Sequence, residues 1–365
     1  MMTMKEIFEE IQSSGGLTPS RRLRDIAQRF PDKVAFRDKR YGVWNEITYG
    51  EFWTQVQYVT CALNFFGVEK TDKVAIHSEN RPEWLIADIG IQALGGISVG
   101  LYPTNPPAEV KYLLSHSESK ILFAEDQEQV DKALEVIQDV PNLSKIIYFE
   151  EKGLFRYESD KLMRWDEFLK IGKEEFEKNK DFPNFCIDEI KSDDVALMIY
   201  TSGTTGPPKA SMLSHGNMEW TASIIPDLSF TPNISNPEYL SYLPLCHVFG
   251  RLVDEIIAIN SIGTINFAES IDTVQRDLAE IQPSIFPAVP RILERMHAGT
   301  LVRMKDASKL KQILFQLASF FGNITAKRRL KNPNDIIAKI SNFIAQILAF
   351  RSVSYTHLRA HETLL

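Results

Sequence analysis

Cysteine is scarce in this sequence, and the few cysteines present do not suggest a metal site. The 365 residues contain Cys61, Cys186 and Cys246, which lie far apart and lack the spacing of metal ligands. An odd and scattered set of this kind is typical of reduced thiols in an intracellular protein. We therefore predict free thiols and a cytoplasmic location.

Long hydrophobic runs and an excess of positive charge are lacking as well. No stretch approaches the ~20 apolar residues of a membrane span, and the N-terminal "MMTMKEIFEEIQSSGG" has no apolar centre like that of a signal peptide. The net charge of -7 argues against general nucleic-acid binding. With 44% hydrophobic and 24% charged residues, the composition is that of a soluble globular protein.

Short apolar strands alternate with helical patterns over most of the chain. The stretch "KVAIHS" (73–78) predicts a strand, and the helix that follows has Pro82 in its first turn and stops at Gly95–Gly96. This β-α-β order implies a parallel sheet with helices on its faces. We therefore predict an α/β fold.

The alternation has one gap and divides the chain into two α/β stretches. Residues 150–190 are polar and charged, and we interpret them as a surface connection. Strands are expected again at 194–200 and at "PSIFPAV" (283–289). We predict that parts 1–190 and 191–300 form two similar layers that face a shared cleft.

A helical and basic region, 301–351, follows. Apolar residues recur in it at helical spacing, from Leu310 to Phe321. Within 301–331 only Asp306 is acidic, against eight basic residues: Arg303, Lys305, Lys309, Lys311, Lys327, Arg328, Arg329 and Lys331. Two interpretations stay open: a solvated helical pair packed on the domain, or a surface helix that contacts anionic lipid.

The last residues, Val353–Leu365, do not continue the preceding helical pattern. The string "VSYTHLRAHET" resembles the translation of a sequencing adapter, and we interpret it as an artefact. His357 and His361 lie four residues apart, but the position of Glu362 fits neither zincin motif, so no zinc site is expected. On this interpretation the chain is an N-terminal fragment of a longer protein.

The stretch "YTSGTTGPPKASMLSH" (200–215) interrupts a buried strand with small hydroxyl residues and glycines, and then places a cation, Lys209. Backbone amides in a tight glycine loop can converge on an anion, at the sheet edge where α/β folds bind ligands. The pattern suits a polyphosphate, although it is not a Walker loop, because Gly206 is followed by two prolines. A simple Ser/Thr/Gly turn in a hairpin is the alternative.

The full string resembles the phosphate-binding signature of the adenylate-forming superfamily of acyl-CoA synthetases, luciferases and adenylation domains. Ala210 departs from it, because the family usually has glycine there. Three further stretches agree, and the last resembles the long-chain fatty acyl-CoA synthetase branch: "ENRPEWLIADIGIQALGG" and its continuation, "SYLPLCHVFGR" (241–251) and "IQPSIFPAVPRILERMH" (281–297). The resemblance covers residues 20–351 and implies a large, truncated N-terminal domain.

The resemblance implies a ligase that uses ATP, Mg²⁺ and CoA to convert a fatty acid into its thioester. His247 would lie beside the acyl carboxylate, and Thr201 would lie close to Mg²⁺, whereas Arg251 and Arg291 would hold structure through ion pairs. The implied ATP-phosphate residues are Thr201, Ser202, Gly203, Thr204, Thr205, Gly206 and Lys209. The resemblance also leaves open a ligase that passes the acyl group to a carrier protein, or a non-catalytic acyl- or nucleotide-binding relative.

Some parts that the resemblance implies are not found in the sequence. We find no Y-G-x-T-E motif for adenine and no T-G-D motif for ribose. The mobile domain with its catalytic lysine would likewise follow residue 351. We therefore expect the 365 residues alone to bind phosphate weakly and to be inactive.

Overall fold

The computed structural model describes residues 18–201, 206–224, 236–332 and 335–350. The chain divides into two compact units, Met1–Glu269 and Ser270–Leu365. All of the described strands belong to the first unit. The tail that we interpret as adapter sequence, Val353–Leu365, lies outside the described residues.

The first unit alternates strands and helices, as the sequence predicts. Its first half contains α1 (Pro19–Arg29), β1 (Val34–Arg40), β2 (Val43–Thr48), α2 (Tyr49–Phe65), β3 (Lys73–His77), α3 (Pro82–Ala93), β4 (Ile97–Leu101), α4 (Pro107–Ser117), β5 (Ile121–Ala124), α5 (Gln127–Val136) and β6 (Lys145–Tyr148). Its second half contains β7 (Leu162–Arg164), α6 (Trp165–Lys178), α7 (Phe182–Asp188), β8 (Val195–Thr201), β9 (Lys209–Ser214), α8 (His215–Ile224), β10 (Glu238–Ser241), α9 (Val248–Arg251) and β11 (Thr264–Phe267).

A seven-stranded sheet forms the larger layer, in the order β7-β6-β5-β3-β4-β8-β9. All neighbours are parallel except β9, which pairs antiparallel with β8. Every residue of β4 and β5 is buried, as expected for strands covered on both faces. The carboxyl ends of β3, β4 and β8 therefore meet at one edge of this sheet.

A four-stranded sheet, in the order β10-β11-β1-β2, forms the second layer. It joins the early hairpin β1–β2 to two strands from much later in the chain, and β1 pairs parallel with β11. The two sheets confirm the α/β class. The predicted division at residue 190 does not separate them, because β8 and β9 belong to the same sheet as β3 to β7.

Our interpretation of residues 150–190 as a surface connection was wrong. This segment adds β7 to the sheet and supplies α6 and α7, with Phe168 and Ile187 fully buried. Gly172 lets α6 approach α2 closely, since a Cβ there would lie 2.0 Å from the Tyr58 carbonyl oxygen. The many charged residues of this segment outnumber the few apolar residues that it buries, so its composition resembles that of a surface connection.

Two other predicted elements differ from the structure. Residues 283–289 form no strand: only an isolated bridge occurs there, and Pro283 and Pro287 have no N–H to donate to a ladder. The helix predicted over 248–261 begins as α9 and continues as a π-helical segment, Leu252–Ala258.

Residues 301–332 and 335–350 of the second unit are mainly helical, which confirms the helical prediction for this region. It contains α10 (Val274–Ile281), α11 (Pro290–Lys305), α12 (Lys309–Arg329), α13 (Ile336–Ala345) and a π-helical turn (Gln346–Phe350). The α12–α13 pair is joined by a hydrogen bond from Ser341 Oγ to the Phe321 carbonyl (2.8 Å) and by an ion pair between Arg328 and Asp335 (2.9 Å).

Much of the apolar surface of α12 and α13 is exposed. The side chains concerned recur at helical spacing and are more than a third exposed: Leu310, Ile313, Leu317, Phe320, Ile336, Ile337, Ile340 and Phe343. Among the described helices, none combines the length and the apolar character that crossing a membrane would require.

Candidate functional site

The loop after β8 connects two antiparallel strands, with Thr201 directly opposite Lys209. The hairpin that we weighed as the plain alternative is therefore present. However, β8 also pairs parallel with β4, so its loop leaves the sheet at the carboxyl edge, where α/β folds bind ligands. Ser202, Gly203, Thr204 and Thr205 lie outside the described residues.

The described residues at the ends of this loop are open to solvent. Thr201, Gly206 and Lys209 are exposed, and no hydrogen bond or ion pair joins the Lys209 side chain to another described residue. Gly206 has φ 111°, a conformation that other residues rarely adopt. Ala210 lies in the extended backbone of β9, opposite Tyr200, where its methyl group is accommodated.

Helix α4 holds both ends of the loop. The Tyr112 hydroxyl donates to the Pro208 carbonyl (2.9 Å), one residue before Lys209. His116 Nδ1 lies 2.7 Å from the hydroxyl of Tyr200, one residue before Thr201. Burial raises the pKa of Tyr200 to about 12, so its hydroxyl stays protonated at neutral pH.

The second predicted site residue, His247, lies in the turn between β10 and α9. Its ring is exposed, and Nδ1 accepts a hydrogen bond from the Phe249 amide (3.1 Å), which caps α9. The neutral ring therefore carries its proton on Nε2. Nε2 is left to meet a ligand, whereas Nδ1 fixes the ring to its own backbone.

The His247 turn is seated on β4, the neighbour of β8. Gly100 of β4 makes this possible, because a Cβ there would lie 2.7 Å from Cys246 Cα. Gly100 is also the register partner of Ile199, two residues before Thr201. The His247 turn thus packs against the strand that neighbours β8, whose last residue, Thr201, begins the predicted loop.

Arg251 holds the base of the turn from within the core, as the predicted structural role requires. Its guanidinium donates to Asp88 (2.7 Å), and the two side chains are 1% and 0% exposed. Nε donates to the Leu245 carbonyl (3.1 Å), and the cation lies 4.7 Å from the centre of the Trp84 ring. Arg291, in contrast, is exposed on α11.

Two further carboxyl groups are buried behind the turn, on the π-helical segment. Burial raises the pKa of Asp254 from 3.8 to about 7, although a hydrogen bond from Ser241 opposes the shift. Burial and the nearby Asp88 carboxylate also raise the pKa of Glu255, which accepts a hydrogen bond from Gln92 (2.7 Å). These groups are neutral at mildly acidic pH and belong to the scaffold.

Several residues of this edge did not emerge from sequence reasoning. Asn80, Tyr112 and His116 all lie in the stretch beginning "ENRPEW" that was singled out by resemblance, but their contacts depend on tertiary structure. Asp88 and Gln92 are polar positions in α3, a helix that is mostly apolar. A buried acid in such a helix was a signal that could have predicted its pairing with Arg251.

The comparison with protein families settles the class. The family model described as "AMP-binding enzyme" matches residues 23–332. The protein therefore belongs to the AMP-binding enzyme family, as the loop and turn motifs indicate.

Curated relatives refine this within the family. The long-chain-fatty-acid–CoA ligase ACSBG2 of Xenopus laevis is 28% identical over 355 residues, which cover 94% of this chain and 46% of that protein. Long chain acyl-CoA synthetase 4 of Arabidopsis thaliana is 32% identical over 290 residues, 76% of this chain and 41% of that protein. The chain thus spans about half the length of the curated relatives it matches.

Solved structures show the same fold. A putative long-chain-fatty-acid CoA ligase from Rhodopseudomonas palustris superposes with a TM-score of 0.62 at 19% identity, over 76% of this chain and 65% of that chain. Coronafacic acid ligase from Pectobacterium brasiliense superposes with a TM-score of 0.65 at 17% identity, over 80% and 53%. At these identities the likeness establishes the fold.

Proposed function

We propose that the protein is a long-chain fatty acid–CoA ligase that forms AMP. The observation that supports this proposal is that β8, after which the Thr201–Lys209 loop begins, and β4, against which the His247 turn packs, are neighbouring strands. One motif suits a polyphosphate and the other suits a carboxylate, and the reaction needs both groups side by side. The ligase names of the curated relatives support the substrate class.

The chemistry explains why the two motifs must be neighbours. A carboxylate is a poor acyl donor, because its leaving group would be oxide. Attack of the fatty carboxylate on the α-phosphorus of ATP gives an acyl-adenylate and releases pyrophosphate. The CoA thiol then attacks the acyl carbon, forms the thioester and releases AMP. Both steps depend mainly on positioning and charge neutralisation.

We assign the phosphates to Thr201, Ser202, Gly203, Thr204, Thr205 and Gly206, with Lys209 as the cation. Lys209 is exposed at the loop's end and has no described partner to compete with a phosphate. We assign the acyl carboxylate to His247, whose Nε2–H is a donor suited to a carboxylate oxygen. The ring is already oriented through Nδ1.

We propose that Mg²⁺ enters with the nucleotide. Magnesium is commonly bound through substrate phosphates with only one or two protein ligands. The exposed hydroxyl of Thr201, at the carboxyl end of β8, fits the place of one such neighbour. When bound, the ion neutralises charge on the phosphates, and Lys209 adds to this effect.

The test is a fatty acid-dependent exchange of pyrophosphate into ATP, followed by an assay for the thioester. The protein expressed from the whole reading frame should catalyse both with a long-chain fatty acid, and the 365-residue chain alone neither. Exchange without thioester formation from CoA would favour the alternative, transfer to a carrier protein. Absence of exchange would favour a non-catalytic binding relative.

A second proposal concerns contact with an anionic membrane, which would bring a cytoplasmic ligase to its substrate. The observation that favours it is that α12 and α13 expose apolar side chains beside basic ones. Each Lys or Arg near an anionic surface contributes about 1 kcal/mol, screened within a Debye length. We expect salt-sensitive, reversible binding to anionic vesicles.

Charge reversal tests this contact. Lys327→Glu, Arg329→Glu and Lys331→Glu together should release the protein from anionic vesicles, and they spare the Arg328–Asp335 ion pair. The matched control reverses three exposed lysines of the first unit, Lys152, Lys170 and Lys173. Equal binding of wild type to neutral and anionic vesicles, or equal release by both triple variants, would contradict the proposal.

A further inference from the structure

We propose that Asn80 is a positioning residue that fixes the turn carrying His247. Asn80 follows β3 and precedes α3, and among the described residues its side chain bonds residues before His247 and not the His247 ring. Its expected effect on a fatty acid rests on the proposed function. Its effect on the turn rests on geometry alone.

The Asn80 amide bonds the turn through both of its ends. Its nitrogen donates to the Leu243 carbonyl (2.7 Å) and to Ser241 Oγ (2.9 Å). Its oxygen accepts from the Leu245 amide (3.0 Å). The carbonyl of Leu245 is in turn bound by Arg251 Nε (3.1 Å), so side chains satisfy both polar groups of this residue.

The turn leaves little room for another arrangement. A Cβ at Gly250 would lie 2.3 Å from the Pro244 carbonyl oxygen, so the turn is folded tightly onto the start of α9. The His247 amide donates to the same Pro244 carbonyl (2.9 Å). Asn80 therefore bonds the residues on both sides of Pro244, whose carbonyl accepts the hydrogen bond from the His247 amide.

Only an amide of this length supplies a donor and an acceptor together at this point. An ionised aspartate would keep the acceptor for the Leu245 amide, but it could not donate to the Leu243 carbonyl and it would add a charge. The phosphate loop is held separately, by Tyr112 and His116 of α4. Loss of the Asn80 amide should therefore affect the His247 turn and spare the phosphate loop.

The experiment compares Asn80→Ala with Asn266→Ala in the 365-residue chain. Asn266 is the matched control, because its buried amide also donates twice, to Glu238 (2.8 Å) and to the Tyr239 carbonyl (2.9 Å), on the other sheet. The readouts are hydrogen exchange of the Leu245 amide and the NMR signal of the His247 ring. Binding of MgATP and of the fluorescent fatty acid cis-parinarate is measured in parallel.

In Asn80→Ala, exchange at Leu245 should quicken about tenfold, as expected for one lost hydrogen bond, and the His247 signal should shift. Cis-parinarate binding should weaken while MgATP binding is kept. Asn80→Asp should retain protection at Leu245. Unchanged exchange and an unchanged His247 signal in Asn80→Ala, or the same changes in Asn266→Ala, would overturn the inference. If the wild-type chain binds neither ligand, the hydrogen-exchange and NMR data alone decide the role of Asn80, and pyrophosphate exchange in the protein from the whole reading frame decides the proposed function.

Discussion

The phosphate loop and the His247 turn share one sheet edge, yet they are built in opposite ways. Tyr112 and His116 hold the two described ends of the loop, and a Cβ at Gly206 would meet nothing within 4 Å. The turn is packed against β4 and bonded along its length. Under the proposed function, the exposed loop ends at Thr201, Gly206 and Lys209 would meet a polyphosphate, whereas the fixed His247 ring would meet a single carboxylate.

The largest expected effect comes from removing the cation beneath the turn. Arg251→Met leaves the buried Asp88 carboxylate unpaired, so the free energy of unfolding should fall by roughly 3–5 kcal/mol. Arg24→Ala breaks an exposed pair with Asp188 (3.0 Å) and should remove at most about 1 kcal/mol. Chemical denaturation measures both, and equal small losses would show that the turn does not depend on a buried ion pair.

The next largest effect is expected from substituting glycine, which should destabilise the protein more at the His247 turn than at the loop. Gly100→Ala should lower the free energy of unfolding by about 1–3 kcal/mol through overpacking against Cys246, and it should disturb the His247 signal. Gly206→Ala meets no neighbour and should strain only the loop through its φ of 111°. A larger loss of stability from Gly206→Ala than from Gly100→Ala would reverse the comparison.

The sequence predicts the loop after β8, but it does not predict how the His247 turn is packed. Glycine, hydroxyl residues and Lys209 after an apolar strand carry their chemistry locally, so the loop and its strand were predicted. The packing of the turn against Gly100 depends on the order of the strands in the sheet. That order places β4 beside β8, although about 95 residues separate the two strands in the sequence. The charge-rich segment 150–190 misled us because its buried residues, such as Phe168, are few and widely spaced.

A pH-dependent effect is expected from the scaffold behind the turn. Asp254 has a pKa of about 7 when folded and an ordinary value of 3.8, so the native state holds a proton that the unfolded chain releases. Stability from this group is present below about pH 4 and is lost as pH rises toward 7. Asp254→Asn should therefore flatten the fall in unfolding free energy over this range. An unchanged slope would contradict a neutral, buried Asp254.

The smallest expected effect concerns the attachment of the loop. Tyr112→Phe removes the hydrogen bond to the Pro208 carbonyl and keeps the ring. MgATP affinity should fall by about 0.5–1.5 kcal/mol, the range of one neutral hydrogen bond, because the loop loses one of its two described anchors. Isothermal titration measures this, with Tyr157→Phe as a control on a distant exposed hydroxyl. Equal MgATP affinities in both variants would show that the hydrogen bond from α4 does not support nucleotide binding by the loop.

The most direct measurement is fatty acid-dependent pyrophosphate exchange in Lys209→Ala and Thr204→Val, made in the protein expressed from the whole reading frame. Each variant should slow acyl-adenylate formation, and Lys209→Ala should lose roughly 1.5–3 kcal/mol of transition-state stabilisation, as for one charge-assisted contact. The melting temperature should stay unchanged, since Lys209 is exposed. Exchange at the wild-type rate in both variants would contradict the assignment of this loop to the phosphates of ATP.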